Sequence, residues 1–190
     1  MHSSNFAHAK EVFNTFRVES VWVQSIYDTT QALFSSGTDI TDLLQRCAAH
    51  FFADLNHILI EYWVLVVARI TDPAKTMGRE NVTAKLILEM LDELGLLTVE
   101  IQSESDGLHR YRAILNDARN RVVSHADKQT FLNPTLLGMH APHDITEFLT
   151  HLQKFNDLVG EALEEGPLDF QSTYGPGDVF DFIRALKSAA

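Results

Sequence analysis

Apolar residues recur every three or four positions along almost the whole chain, the period of a helix with one buried face. Phe13, Phe16, Val21, Ile26, Ala32 and Leu33 set the first stripe. It predicts a helix from about Phe6 to Phe34, with Ser3, Ser4 and Asn5 as candidate N-caps and Ser35-Ser36-Gly37 as its stop. A second helix is expected from near Asp39 or Thr41 to about Ile70. Its centre, Ile58 to Val67, is apolar nearly all round, the pattern of a helix in the middle of a bundle or at a subunit interface. Thr71-Asp72-Pro73 breaks it, and Asp72 to Asn81 reads as a polar loop.

Leu86, Ile87, Met90, Leu91 and Leu94 predict a third helix, capped by Thr83 and ended by Gly95. Ser103 or Ser105 is expected to open a fourth, from about Gly107 to Ser124, with Tyr111, Ile114, Leu115, Ala118 and Val122 as its stripe. Phe131 to His143 is a long connection. Asp144-Ile145-Thr146-Glu147 reads as a capping box for a helix that Gly166-Pro167 stops, and Pro176-Gly177-Asp178 starts a last short one. Strand-like alternation never persists. The expected architecture is all-α: two long antiparallel helices with shorter helices packed on them. One domain over residues 1–190 is expected, with its core at about 6–163 and a C-terminal helix at about 176–188.

Composition narrows the setting. Of 190 residues, 45% are hydrophobic and 22% charged, which suits a folded soluble chain. Phe51 to Ile70 is as long as a membrane span, but it carries Asp54, Asn56, His57, Glu61 and Arg69, which are costly in lipid. It is expected to be a buried core helix, so no membrane partner is expected. The N-terminus has no basic run followed by an apolar one, so no secretory signal is expected. Cys47, the single cysteine, lies among apolar neighbours and is expected to be a small buried hydrophobe. A lone cysteine fits a reducing cytoplasm.

The net charge of −11 argues against a general nucleic-acid coat protein, though not against a local site. Arg110, Arg112, Arg119, Arg121 and Lys128, five of the 15 lysines and arginines, cluster in one short stretch. Only Asp117 and Asp127 oppose them there. Within that stretch, Arg119-Asn120-Arg121-Val122-Val123-Ser124-His125-Ala126-Asp127 concentrates the candidate chemistry. An arginine offers phosphate a permanently charged planar fork, and a histidine exchanges protons near neutrality. This is a minimal set for metal-free transesterification of RNA. In such a reaction His125 is general base or acid, and Arg119 neutralises charge on the phosphorane. Asn120 orients the imidazole or donates to phosphate, and Asp127 raises the His pKa or orients the ring. On a straight helix Arg119 and His125 stand about 120° apart, at about 100° per residue. They converge only if the helix bends or ends near Ser124, or if two copies meet across a two-fold axis. The same residues also suit plain structural work: an arginine near a helix C-terminus, an Asp117–Arg121 pair, and a capped turn.

Other clusters carry weaker signals. His140 and His143 lack the third and fourth ligands of a zinc site. His50 and His57 read as core or interface histidines. Glu61 and Arg69 read either as a buried ion pair or as residues of a cleft.

The run RNRVVSHAD resembles the R-N-K-x-x-A-H-x-D signature of HEPN domains, in particular their abortive-infection AbiU-like branch. That signature is an arginine, then a polar residue, with a histidine five to seven positions after the arginine. Arg119, Asn120 and His125 match it, while Arg121 replaces a lysine and Ser124 an alanine. The similarity extends through Phe51-Phe52 and the apolar helix, Ala68 to Pro73, and Asn81-Val82-Thr83, over roughly residues 45–130. It implies a HEPN-like helical bundle, commonly dimeric, with a metal-independent ribonuclease site between subunits and a role as a toxin or in phage defence. The catalytic residues implied are Arg119, Asn120 and His125. Arg121, Asp127 and Lys128 are expected to position RNA. The partners expected are RNA, a second copy and an antitoxin protein, with no metal and no cofactor. The alternative is a non-catalytic helical binding or regulatory module of the same fold.

Overall fold

In a computed structural model, which describes residues 2–123, 127–128, 137–169 and 175–189, the first apolar stripe forms helix α1 over His2–Phe34. Ser35 and Ser36 follow, and Gly37, at φ 117°, leads directly into α2 over Thr38–Thr71. The two run antiparallel. Glu19 meets Arg69 at 2.8 Å and the Tyr27 ring packs at a tilt against Trp63, centroids 6.0 Å apart, so advancing along one helix means retreating along the other. Helix α2 breaks at Ala48, whose φ/ψ of −165° and 73° leave the helical region.

The segment after α2 differs from the polar loop expected there. Lys75–Thr76 (β1) and Arg79–Glu80 (β2) pair antiparallel, across a turn in which Met77 and Gly78 have φ of 50° and 78°. Two positive φ values in a two-residue connection match the twist of a tight hairpin. Asn81 closes it, donating from Nδ2 to the Pro73 carbonyl at 2.9 Å.

Helix α3, Ala84–Leu94, begins and ends at the expected signals. The Thr83 hydroxyl accepts from the Leu86 amide at 3.3 Å, and Gly95 takes the left-handed conformation that ends the helix. Helix α4, Val99–Ala118, starts well before the expected position near Gly107. Thr98 is its cap, accepting from the Ile101 amide, and Ser105 is buried inside it. Ser103 and Ser105 are therefore interior residues whose side chains resemble cap signals. Helix α5, Pro142–Ala162, begins two residues before Asp144. Pro142 holds a first-turn position, where its missing N–H costs nothing. Asp144 acts from inside the helix, accepting from the Ala141 amide at 2.6 Å. Helix α6, Val179–Ala189, is capped by Asp178, which accepts from Phe180 and Asp181.

The described residues form an all-α bundle apart from the short hairpin, as the periodicity implied. Its main core joins α1, α2, α3, α4 and α5. Phe13, Phe16, Leu108, Phe148, Leu152 and Phe155 are fully buried, and Phe16 meets Phe155 edge-on at 5.5 Å. A smaller cluster of Leu33, Ile40, Leu44, Phe52 and Ile183 seats α6 against the α1–α2 turn. Only one face of α2 is covered. Leu59, Trp63, Val66 and Val67 are buried, while Phe51, Ile58 and Ile60 are exposed. Cys47 is exposed too, contrary to expectation. It sits next to the Ala48 break, where the helix turns its apolar neighbours Leu43 and Leu44 inward without it. His50 and His57 are not core residues: both are exposed, and His57 Nε2 lies 3.2 Å from Glu61.

Helices α4 and α5 are the most closely fitted pair. Gly107 lies against the ring of His151, whose Nδ1 donates to Glu104 at 2.6 Å and whose Nε2 faces Arg110 at 3.4 Å. A Cβ at residue 107 would sit 2.4 Å from ring carbons Cγ and Cδ2. Cγ adjoins the stem of the side chain and Nδ1 is tied, so the ring cannot simply swing away. Replacing an interior helical glycine by alanine usually stabilises by about 1 kcal/mol. Here Gly107→Ala is expected to destabilise by about 1–3 kcal/mol, as overpacking does. Thermal unfolding by circular dichroism checks the sign: the melting temperature falls rather than rises.

Candidate functional site

The site grows from two helix ends. Asp72 closes α2, and because Pro73 follows, its backbone is extended at φ −66°, ψ 165° rather than helical. Its carboxylate faces α4. There Arg112 Nη2 donates to Asp72 Oδ1 at 2.6 Å, and Arg119 Nη2 donates to Oδ2 at 3.1 Å. Arg112 and Arg119 are seven residues apart, two turns along one helix face. All three side chains are part-buried, Asp72 at 22% exposed, Arg112 at 24% and Arg119 at 32%. A charge-assisted bond to each oxygen of one carboxylate is a strong arrangement. The arginines also lie beside the negative end of the α2 dipole.

At Arg119 the helix changes form. Arg119–Val123 is a π-helical turn continuing α4. Turns of this kind are uncommon and often occur at functional sites. Arg119 Nη1 donates to Asn120 Oδ1 at 3.2 Å, and Asn120 Nδ2 reaches Asn116 Oδ1 at 3.4 Å. Asn120 and Arg121 are exposed. The Asp127 amide donates to the Arg121 carbonyl at 3.0 Å. Lys128 is exposed. Ser124, His125 and Ala126 lie outside the described residues, as does most of the connection from Phe131. The structure therefore joins Arg119 to Asn120 through a hydrogen bond and places Arg121, Asp127 and Lys128 at the same end of the helix.

Two partners of Arg119 escaped the sequence reading. Asp72 appeared there only as part of a helix stop, and Arg112 only as one of a basic cluster. The signal was present in the seven-residue spacing of Arg112 and Arg119. Which carboxylate they meet depends on how α2 packs beside α4. Arg69 and Glu61 are not paired with each other: Arg69 goes to Glu19, and Glu61 to His57.

On the neighbouring face of α4, Trp63 Nε1 donates to the Tyr111 hydroxyl at 2.9 Å. His140 Nδ1 lies 2.8 Å from the Gly138 carbonyl, so the neutral ring carries its proton there. Its Nε2 can then accept from the Tyr111 hydroxyl, 3.4 Å away. His143 lies beside Asp144 at 3.4 Å. Among the described residues no three His, Cys, Asp or Glu side chains converge as metal ligands would. Burial pushes the Tyr111 hydroxyl well above the ordinary tyrosine range. The Trp63 hydrogen bond works against that shift, while the Asp144 charge adds to it.

Because the folded hydroxyl binds its proton more tightly than the unfolded one, this group's contribution is full below the ordinary tyrosine pKa. It is lost as pH rises beyond that value. A spectrophotometric alkaline titration should therefore show one of the four tyrosines ionising only as the protein unfolds. Tyr111→Phe should abolish that late step. It should also cost about 1–3 kcal/mol, since the buried Trp63 donor loses its acceptor.

A family model for AbiU2, of the HEPN type, matches residues 6–182. No curated protein and no solved structure matches the chain.

Proposed function

The chain belongs to the AbiU2 family of HEPN domains, and from that premise we propose that it is a metal-independent endoribonuclease. The observation that carries this reading is Arg119, anchored on Asp72 and bonded to Asn120 at the π turn that ends α4. In this reading the ribose 2′-hydroxyl of an RNA strand attacks the adjacent phosphate. His125 takes the hydroxyl proton or supplies one to the leaving 5′-oxygen. Arg119 stabilises the charge that develops on the phosphorane oxygens. Asn120 keeps the guanidinium oriented and offers its amide to phosphate or to the imidazole. Arg121, Asp127 and Lys128 hold the strand across the same helix end.

The protein is proposed to act in the cytoplasm as a homodimer, serving as a toxin or phage-defence effector restrained by an antitoxin. Exposed Phe51 and Ile58, seven residues apart on one face of α2, support the dimer. With Val18 and Trp22 on α1 they leave more apolar side chain in water than one bundle face requires. The net charge of −11 favours a second reading, a non-catalytic helical module for which the arginine cluster is structural.

Incubation with mixed RNA in excess EDTA separates the two. Cleavage by wild type is expected, with RNA cut and DNA left intact, because the nucleophile is the 2′-hydroxyl. His125→Ala should be inactive, and Arg119→Ala slower by about 10²–10³, the usual cost of one oxyanion-stabilising donor. Cleavage by His125→Ala at the wild-type rate would reject the mechanism. A large drop in the melting temperature of Arg119→Ala, with no cleavage by wild type, would favour the module. Light scattering at micromolar concentration should give twice the chain mass, and a monomer would remove the two-subunit site.

A further inference from the structure

We propose that Arg112 is a second phosphate-binding group of this site, paired with Arg119 in a two-guanidinium clamp on one RNA phosphate, and that Asp72 is the positioning residue that forms the clamp. The proposal rests on the ribonuclease reading for its substrate, and on the geometry at Asp72 for its residues.

Two turns of helix separate the Cα atoms of Arg112 and Arg119 by about 10 Å along the axis. Yet their Nη2 atoms reach the two oxygens of one carboxylate, at 2.6 and 3.1 Å. The long side chains therefore fold toward each other until their forks are as close as the oxygens of one small anion require. Phosphate is such an anion, and the planar fork suits it.

The charge count matters as much as the distance. Arg69, by contrast, is answered by a carboxylate of its own, Glu19. Arg112 and Arg119 share one, which leaves the trio with a single positive charge. One phosphodiester neutralises that charge. In a chain of net charge −11, a local excess of this kind is what lets a phosphate approach.

Anchoring is also economical. The Nε atoms of both arginines are buried and have no hydrogen-bond partner among the described residues. Asp72 therefore holds both guanidiniums from their outer ends, through Nη2, and Asn120 adds a second bond to Arg119 through Nη1. The open groove bordered by Asp72, about 380 Å³, is lined by Glu19, Arg69 and Glu80, and neither Arg112 nor Arg119 lines it. The phosphate is therefore placed on the α4 side, against the part-exposed forks.

The probe is a short 2′-O-methyl oligoribonucleotide, which lacks the attacking hydroxyl and cannot be cut. Its affinity is measured for the full chain over a range of salt concentrations. Arg112→Gln should bind it about tenfold more weakly, with a salt slope smaller by about one, the signature of one lost phosphate contact. Asp72→Asn removes a negative charge but keeps the shape. It should bind the probe at least as tightly as wild type, yet turn over cleavable RNA at saturation at least tenfold more slowly. A merely structural Asp72 would lower stability and leave that split absent. Wild-type affinity and slope in Arg112→Gln would overturn the clamp, and an unchanged saturated rate in Asp72→Asn would overturn the positioning role.

Should Arg112→Gln fail to fold, wild type itself decides. Its two buried Nε–H groups should give slowly exchanging NMR signals that shift when the probe is added, and no shift overturns the clamp. If wild type cuts no RNA but the binding results hold, the ribonuclease reading fails while the clamp stands as a backbone-binding site.

Discussion

Where α2 ends, its last carbonyls and the Asp72 carboxylate concentrate negative charge beside the C-terminal half of α4. Both arginines on that face turn toward it. A single carboxylate answering two guanidiniums fastens two helix ends that are far apart in sequence. Part exposure lets water screen the charges, so its contribution to stability is modest. Its consequence is directional: it sets where Arg119 points, and with it Asn120 and the start of the π turn. Pro73 matters as much as Asp72, because it forces the residue before it out of the helix.

That arrangement is useful only if α4 itself is held, and the aromatic core does so. Trp63 of α2, Tyr111 of α4 and Phe148 of α5 pack around one another, with the Trp63–Tyr111 hydrogen bond inside. One turn earlier on the same face, Gly107 lets His151 of α5 lie against the α4 backbone, and Glu104 ties the ring. The helix is gripped along its middle by the core and at its C-terminal end by Asp72, while Val123 of the π turn still packs on the core. Asn120 and Arg121, on the same turn, reach solvent.

The outer face of α2 shows how one sequence pattern serves two solvents. A helix apolar nearly all round was readable as either a central bundle helix or an interface helix. The fold buries Trp63, Val66 and Val67 and leaves Phe51, Ile58 and Ile60 outside. It therefore occupies an outer layer, with its core-facing side chains buried and apolar side chains on both flanks of that face left in water.

Local signals determined most of the architecture. The helical period located the long helices, and Thr83 and Gly95 marked the ends of α3, because a cap is a bond between neighbours in sequence. Where local signals competed, they misled. Ser103 and Ser105 looked like caps, and the start of α4 was displaced to Thr98. Asp144 looked like an N-cap, but Pro142 begins the helix. Cys47 and His50 looked buried, but the break at Ala48 turns that stretch outward, and a break in one backbone residue leaves no mark on hydrophobic periodicity. The candidate chemistry from Arg119 to Asp127 was legible because its residue types lie together in sequence. Its anchoring on Asp72, and the recruitment of Arg112 to the same carboxylate, were decided by tertiary structure alone. A bond across 47 residues exists only after α2 and α4 have packed side by side.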